Sequence, residues 1–149
     1  MAYDPMSPDA AAIAHGVLRL LADLGYSGVT EMTLANSRRA DVAALGPKGE
    51  IVIAEVKSSV TDFRSDMKWP DYQPYCDRFY FAVSHSFPHD LIPQDVGLII
   101  ADGFGGAVIR EPETTPLTPA RRKAMTLRFA RLAAARLTRM DANDKTDLI

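Results

Sequence analysis

The sequence predicts an α/β domain, with a mixed sheet at the centre and helices against its faces. Three observations lead there. Helix-periodic stretches stand near both ends of the chain, and short runs of strand formers divided by turn residues fill the middle. One of those runs, 51 to 57, is apolar on both faces until its last turn, so it has to be covered on both sides.

Each element can be justified in turn. Residues 9 to 24, DAAAIAHGVLRLLADL, place Ile13, Val17, Leu20, Leu21 and Leu24 at helical spacing, with Ser7 or Asp9 to cap the start and Gly25 to end it. VTEMTL (29 to 34), RADVAAL (39 to 45) and IVIAEVK (51 to 57) are short strand-forming segments separated by turn residues, the pattern of a meander. Residues 60 to 77 read as short helical pieces interrupted at Pro70 and Pro74, because proline disrupts a helix beyond its first turn. FYFAV (79 to 83) is a further buried strand, and SHSFPHDLIPQD is a loop by its prolines and polar residues. VGLIIA and AVIRE flank DGFGG as a closing hairpin. A final helix starts after Thr118, with Pro119 in its first turn. Steps of about 100° per residue put Ala120, Leu127, Ala130, Ala134 and Leu137 on one apolar side of it. Arg121, Arg128, Arg131, Arg136 and Arg139 fall on the other, and the tail 141 to 149 is expected to fray.

At 149 residues the chain fits a single domain, 1–149, with a core over about 9–138. With 47% hydrophobic and 24% charged residues it reads as globular rather than disordered or fibrous. Neither a signal-peptide pattern nor a window approaching the roughly 18 apolar residues of a membrane span appears, so a cytoplasmic protein is expected. The lone Cys76 has no internal disulfide partner, agrees with a reducing compartment, and is read as a small buried hydrophobe. A net charge of −2 decides nothing about a polyanionic partner, since placement matters more than the sum. Placement is uneven: from Leu117 to Met140 the chain carries Arg121, Arg122, Lys123, Arg128, Arg131, Arg136 and Arg139 and no acid.

The chemistry concentrates where strand 51 to 57 ends in Glu55 and Lys57. The turn GPKGE before it suits a three-residue loop Pro47-Lys48-Gly49, with glycine at the position that needs positive φ. A two-residue turn is disfavoured because its first residue would need a φ that proline cannot adopt. The three-residue loop pairs Leu45 with Ile51, Ala43 with Ile53 and Asp41 with Glu55. Two carboxylates then face each other with Cβ atoms about 5 Å apart, an arrangement that calls for a cation. A hard divalent ion such as Mg²⁺, or Mn²⁺ in its place, suits oxygen donors. Lys57 projects from the same face toward the same cleft.

An acid on one strand followed by Glu-x-Lys on the next resembles the PD-(D/E)xK nuclease superfamily, the restriction-endonuclease-like fold with its α-β-β-β-α-β core. The longer string, RRADVAAL through AEVKSSVTDFRSDMKWPDYQPYCDRFYFAV, resembles the MmcB family of bacterial DNA-repair proteins, predicted endonucleases of that superfamily, over most of residues 10 to 110. The resemblance implies a metal-dependent DNA endonuclease acting in repair, with DNA and other repair proteins as partners. Asp41, Glu55 and the Val56 carbonyl would hold Mg²⁺, and Lys57 would orient water or stabilise charge on the phosphate. Two departures stand out. Ala40 replaces the proline of the superfamily pattern, and the first helix offers only His15 in its middle, with Asp9 and Asp23 near its ends, where many members add an acid.

Further candidates sit around this centre. Arg38 and Arg39 lead into the Asp41 strand and could meet phosphates, or simply solvate a loop. Arg121, Arg128 and Arg131 could track a nucleic-acid backbone, with salt-dependent binding as the consequence. Lys68 and Tyr72, four apart, could reach a phosphate, although Pro70 lies between them. Asp62 reads as a helix cap, and Trp69 as core or groove wall. His85 and His89 in a proline-bearing loop do not make a zinc site, GFGG is a turn rather than a dinucleotide fingerprint, and nothing supports acyl transfer. A second reading of the whole is a non-catalytic module that keeps the nuclease fold to bind nucleic acid or a partner.

Overall fold

The structure, a computed structural model, describes residues 6–147. Its elements are α1 (Pro8–Asp23), β1 (Ser27–Thr33), β2 (Arg39–Leu45), β3 (Ile51–Lys57), α2 (Val60–Ser65), a 3-10 helix (Trp69–Tyr75), β4 (Arg78–Val83), a 3-10 turn (His89–Leu91), β5 (Gly97–Ala101), β6 (Gly106–Arg110) and α3 (Pro119–Asp147). The strands form one sheet in sequence order. β1, β2 and β3 pair antiparallel, β3, β4 and β5 parallel, and β5 and β6 antiparallel. The result is the mixed sheet and the α-β-β-β-α-β order expected of a restriction-endonuclease-like core.

Both faces of the sheet are covered, as the doubly apolar β3 requires: all seven of its residues are buried. On one face Ile13, Ala14, Val17 and Leu21 of α1 pack on Val42, Ala44, Val52, Ala54, Val56 and Tyr80. On the other, Ala43, Ile51, Ile53, Phe79, Phe81 and Val83 meet Tyr72, Trp69, Phe63 and Met125. Phe81 is the hub of that layer, with Phe63, Trp69 and Phe79 edge-on at centroid distances of 5.4, 5.4 and 5.2 Å. Replacing such a ring by alanine costs about 3–5 kcal/mol. Trp69 also stacks on Phe79, so it is core, as its reading as a wall implied. Ser7 caps α1 by accepting the Ala10 N–H. Gly16, in the middle of that helix, lies so close to the turn between β5 and β6 that a Cβ would overlap the Asp102 carbonyl oxygen. Leu24, counted with the apolar face of α1, is instead exposed beyond the end of the helix.

α3 runs on past 140 to Asp147, with no glycine or proline to stop it, and residues 148 and 149 lie outside the described range. The side turned to the sheet differs from the one expected. Met125 is buried and Phe129 and Leu132 pack beside it, whereas Leu127 and Leu137 of the expected apolar side are 58% and 59% exposed. A buried carboxylate sets the rotation. Asp77 accepts hydrogen bonds from Arg122 at 2.7 and 2.8 Å, which draws Arg122, and with it Met125 one turn on, toward the sheet.

Candidate functional site

The turn between β2 and β3 positions the acids. The Gly46 N–H donates to the Glu50 carbonyl at 2.8 Å and Gly49 has φ +87°, which leaves the three-residue loop Pro47-Lys48-Gly49. Leu45 pairs with Ile51 and Ala43 with Ile53, as expected, and one step beyond the recorded ladder this register sets Asp41 beside Glu55. The two side chains lock each other's strands. Glu55 Oε1 accepts from the Asp41 N–H at 2.9 Å, and Asp41 Oδ2 accepts from the Val56 N–H at 2.8 Å.

Glu55 is 4% exposed and Lys57 7%. Burial first, and then the neighbouring Asp41 charge, push the Glu55 carboxyl well above the ordinary carboxylate range, and burial raises Asp41 too. A half-buried and a buried acid side by side hold a proton more readily than isolated ones, because ionising both sets like charges together. Among the described residues no group of three or more histidine, cysteine, aspartate or glutamate side chains is placed to hold a metal. Two carboxylates with a main-chain carbonyl do not make a closed zinc site, but they fit Mg²⁺, which keeps most of its water shell.

These groups open into a cavity of about 890 Å³ that also takes in Arg38, Arg39, Asp62, Asp66, Lys68 and Tyr72. Lys57 is not free within it. Its ammonium lies 2.8 Å from Asp66 and 3.9 Å from Asp62. Burial, which works against the ammonium, is outweighed by the Asp66 hydrogen bond and charge, so Lys57 stays protonated. Asp66 is one of the polar residues just after β3, with Asp62, Lys68, Asp71, Tyr72 and Tyr75, that the resemblance marks as candidate support for the site, and it is the one that holds the ammonium. Asp62 is not the cap of that helix, since Ser59 accepts the Asp62 N–H.

The remaining candidates fall into two groups. Arg38 is bridged to Asp71 at 3.1 Å, and the exposed Lys68 stands at the cavity rim. Tyr72 is buried, with its hydroxyl donating to the Arg39 carbonyl at 3.0 Å. That proton is committed to the fold, and Tyr72 serves as wall rather than as a phosphate donor. A 3-10 rather than α-helical backbone separates it from Lys68, so their spacing of four does not align them. Arg121, Arg128 and Arg131 line a different groove of about 430 Å³, together with Ala35 and Tyr75. There Arg121 lies 4.4 Å over the Tyr75 ring and Arg128 donates to the Thr33 carbonyl. Of the first-helix candidates, Asp9, His15 and Asp23 are exposed and none lines the cavity. Cys76 is buried and its thiol is pushed up to about 12 by burial, consistent with an inert core residue.

No helix among the described residues is long and apolar enough to cross a membrane. The chain is similar to a solved protein of unknown function from Silicibacter pomeroyi, with 40% identity, a TM-score of 0.89 and coverage of 95% of this chain and 96% of that one. A repair endonuclease from Pyrococcus abyssi matches at 16% identity and a TM-score of 0.37, over 60% of this chain and 42% of that one, a likeness too slight to build on. No curated protein matches. The family model of the DNA repair protein MmcB-like proteins matches residues 3–144, and the chain belongs to that family.

Proposed function

We propose that the protein is a Mg²⁺-dependent DNA endonuclease acting in repair, with the cavity where β2 begins and β3 ends as its active site. The observation that carries this reading is the Asp41–Glu55 carboxyl pair, held by reciprocal backbone hydrogen bonds, with Lys57 on the same strand end. Asp41, Glu55 and the Val56 carbonyl would hold the ion. When bound, a divalent cation polarises a phosphodiester and acidifies water. Lys57, kept protonated, supplies positive charge to a phosphate entering the cavity. The burial of the Glu55 side chain excludes bulk water and strengthens each charge there. Arg38, Arg39 and Lys68 line the route by which a DNA backbone reaches this centre, and Arg121, Arg128 and Arg131 offer a second stretch of positive surface along α3.

The test is incubation of the protein with labelled duplex, nicked, branched and single-stranded DNA in Mg²⁺ or Mn²⁺. Cleavage is expected from the wild type, and none from Asp41→Asn or Lys57→Ala, both still folded. Undiminished cleavage by both variants removes these roles. Binding to DNA with no metal-dependent cut by the wild type assigns the chain to the non-catalytic binding module instead.

A further inference from the structure

The rotation of α3 leaves a stripe of the helix without a partner among the described residues. Leu127 and Leu137, each more than half exposed, lie on it with the exposed Ala130 and Ala134 between them. Exposed charges close its two ends, Lys123 and Asp141. The spacing 123, 127, 130, 134, 137, 141 alternates steps of four and three, the seam of a helix pair. Steps of about 100° per residue keep all six within one narrow face, turned away from Met125 and the sheet.

Read in either direction the steps are the same, and the order of residues is Lys, Leu, Ala, Ala, Leu, Asp. We propose that this stripe is the contact surface for a second copy of the chain, with the two α3 helices antiparallel across a two-fold axis. In that arrangement Leu127 meets the partner's Leu137 and Ala130 meets the partner's Ala134. Lys123 meets the partner's Asp141, and the symmetry repeats each contact. A parallel pairing would set lysine on lysine and aspartate on aspartate, so the charges choose the direction. The small alanines at the crossing let the axes approach to about 8 Å. Arg131 flanks the crossing as a like-charge contact; it is exposed, so its guanidinium extends into solvent.

The stripe runs about 27 Å along the helix. A pair of that length buries less than the roughly 1,200 Å² of a standard interface, so the dimer is weak, with a Kd of about 10–100 μM. The groove with Arg121 and Arg128 shares Leu127 with the seam, so the second copy would border it.

Sedimentation velocity of the full chain over about 1–300 μM tests this, bracketing the Kd above. The wild type is expected to pass from monomer to dimer, and Leu137→Glu to remain monomeric at every concentration. Lys123→Asp and Asp141→Lys should each weaken the dimer about tenfold, and the two together should restore it. All of these substitutions are at exposed positions, and far-UV circular dichroism checks that the fold is kept. A wild type that stays monomeric throughout, a dimer untouched by Leu137→Glu, or a double swap no tighter than either single variant would overturn the proposal.

Discussion

Substituting Asp77 removes a charged group that ties the active strand to α3. Its carboxylate is 5% exposed and accepts from the Ile51 N–H at 2.7 Å and the Leu117 N–H at 2.9 Å. Arg122 adds two bonds at 2.7 and 2.8 Å, and also donates to the Gly49 carbonyl at 2.8 Å. Breaking a buried pair typically costs about 3–5 kcal/mol. The Arg122 side chain is 31% exposed and can rehydrate, which places Asp77→Ala nearer about 2–3 kcal/mol. In a chain of this size that lowers the melting temperature by about 5–10 °C. The pH dependence separates charge from packing. Burial, which raises the Asp77 carboxyl, is outweighed by Arg122 and the two N–H groups, so its pKa falls from 3.8 to about 2. A depressed folded pKa means that this stability is present above 3.8 and is lost as pH falls toward 2. Discounted for solvent at the guanidinium, the charge accounts for about 1–2 kcal/mol. Urea unfolding followed by circular dichroism at neutral pH and at about pH 3 measures it, with Asp77→Asn beside the wild type. The gap between them should be wide at neutral pH and narrow at the lower one. An Asp77→Asn variant within about 0.5 kcal/mol of wild type at neutral pH, or a gap indifferent to pH, would refute the reasoning.

Glu55→Gln, which relieves a buried acid beside another, should stabilise the metal-free protein at neutral pH by about 1 kcal/mol or more, measured in urea with a chelator. Because the folded Glu55 pKa is raised, its ionisation costs stability as pH rises above the ordinary value of 4.5, so the gain from glutamine should vanish below that pH. Arg121→Ala and Arg128→Ala should each weaken DNA binding across all sequences and lower the slope of log affinity against log salt by about 0.9 for each phosphate left without its arginine, read by fluorescence anisotropy. An unchanged slope in both would detach the α3 groove from DNA.

How much of this was legible beforehand differs by residue. The run 51–57, apolar on both faces, suits a covered central strand, and Pro47 with Gly49 favours a three-residue loop over a two-residue one. A four-residue loop would have shifted the register by one; the observed pairing of Leu45 with Ile51 selects the three-residue loop, which sets Asp41 beside Glu55. Backbone sterics and the two-residue repeat of a strand act over neighbours, which a linear sequence records. The rotation of α3 was not readable. A helical wheel counts Ala120, Ala130 and Ala134 as apolar, but burying them gains little, whereas Asp77, remote in sequence, needed Arg122. The hold of Asp66 on Lys57 and the commitment of the Tyr72 hydroxyl to Arg39 were hidden for the same reason. By itself the sequence determined the order of elements and the acids and base at the end of the central hairpin. Only the tertiary structure decided which charges pair and which helix face is left to solvent, because those choices turn on the cost of burying a charge far along the chain from its partner.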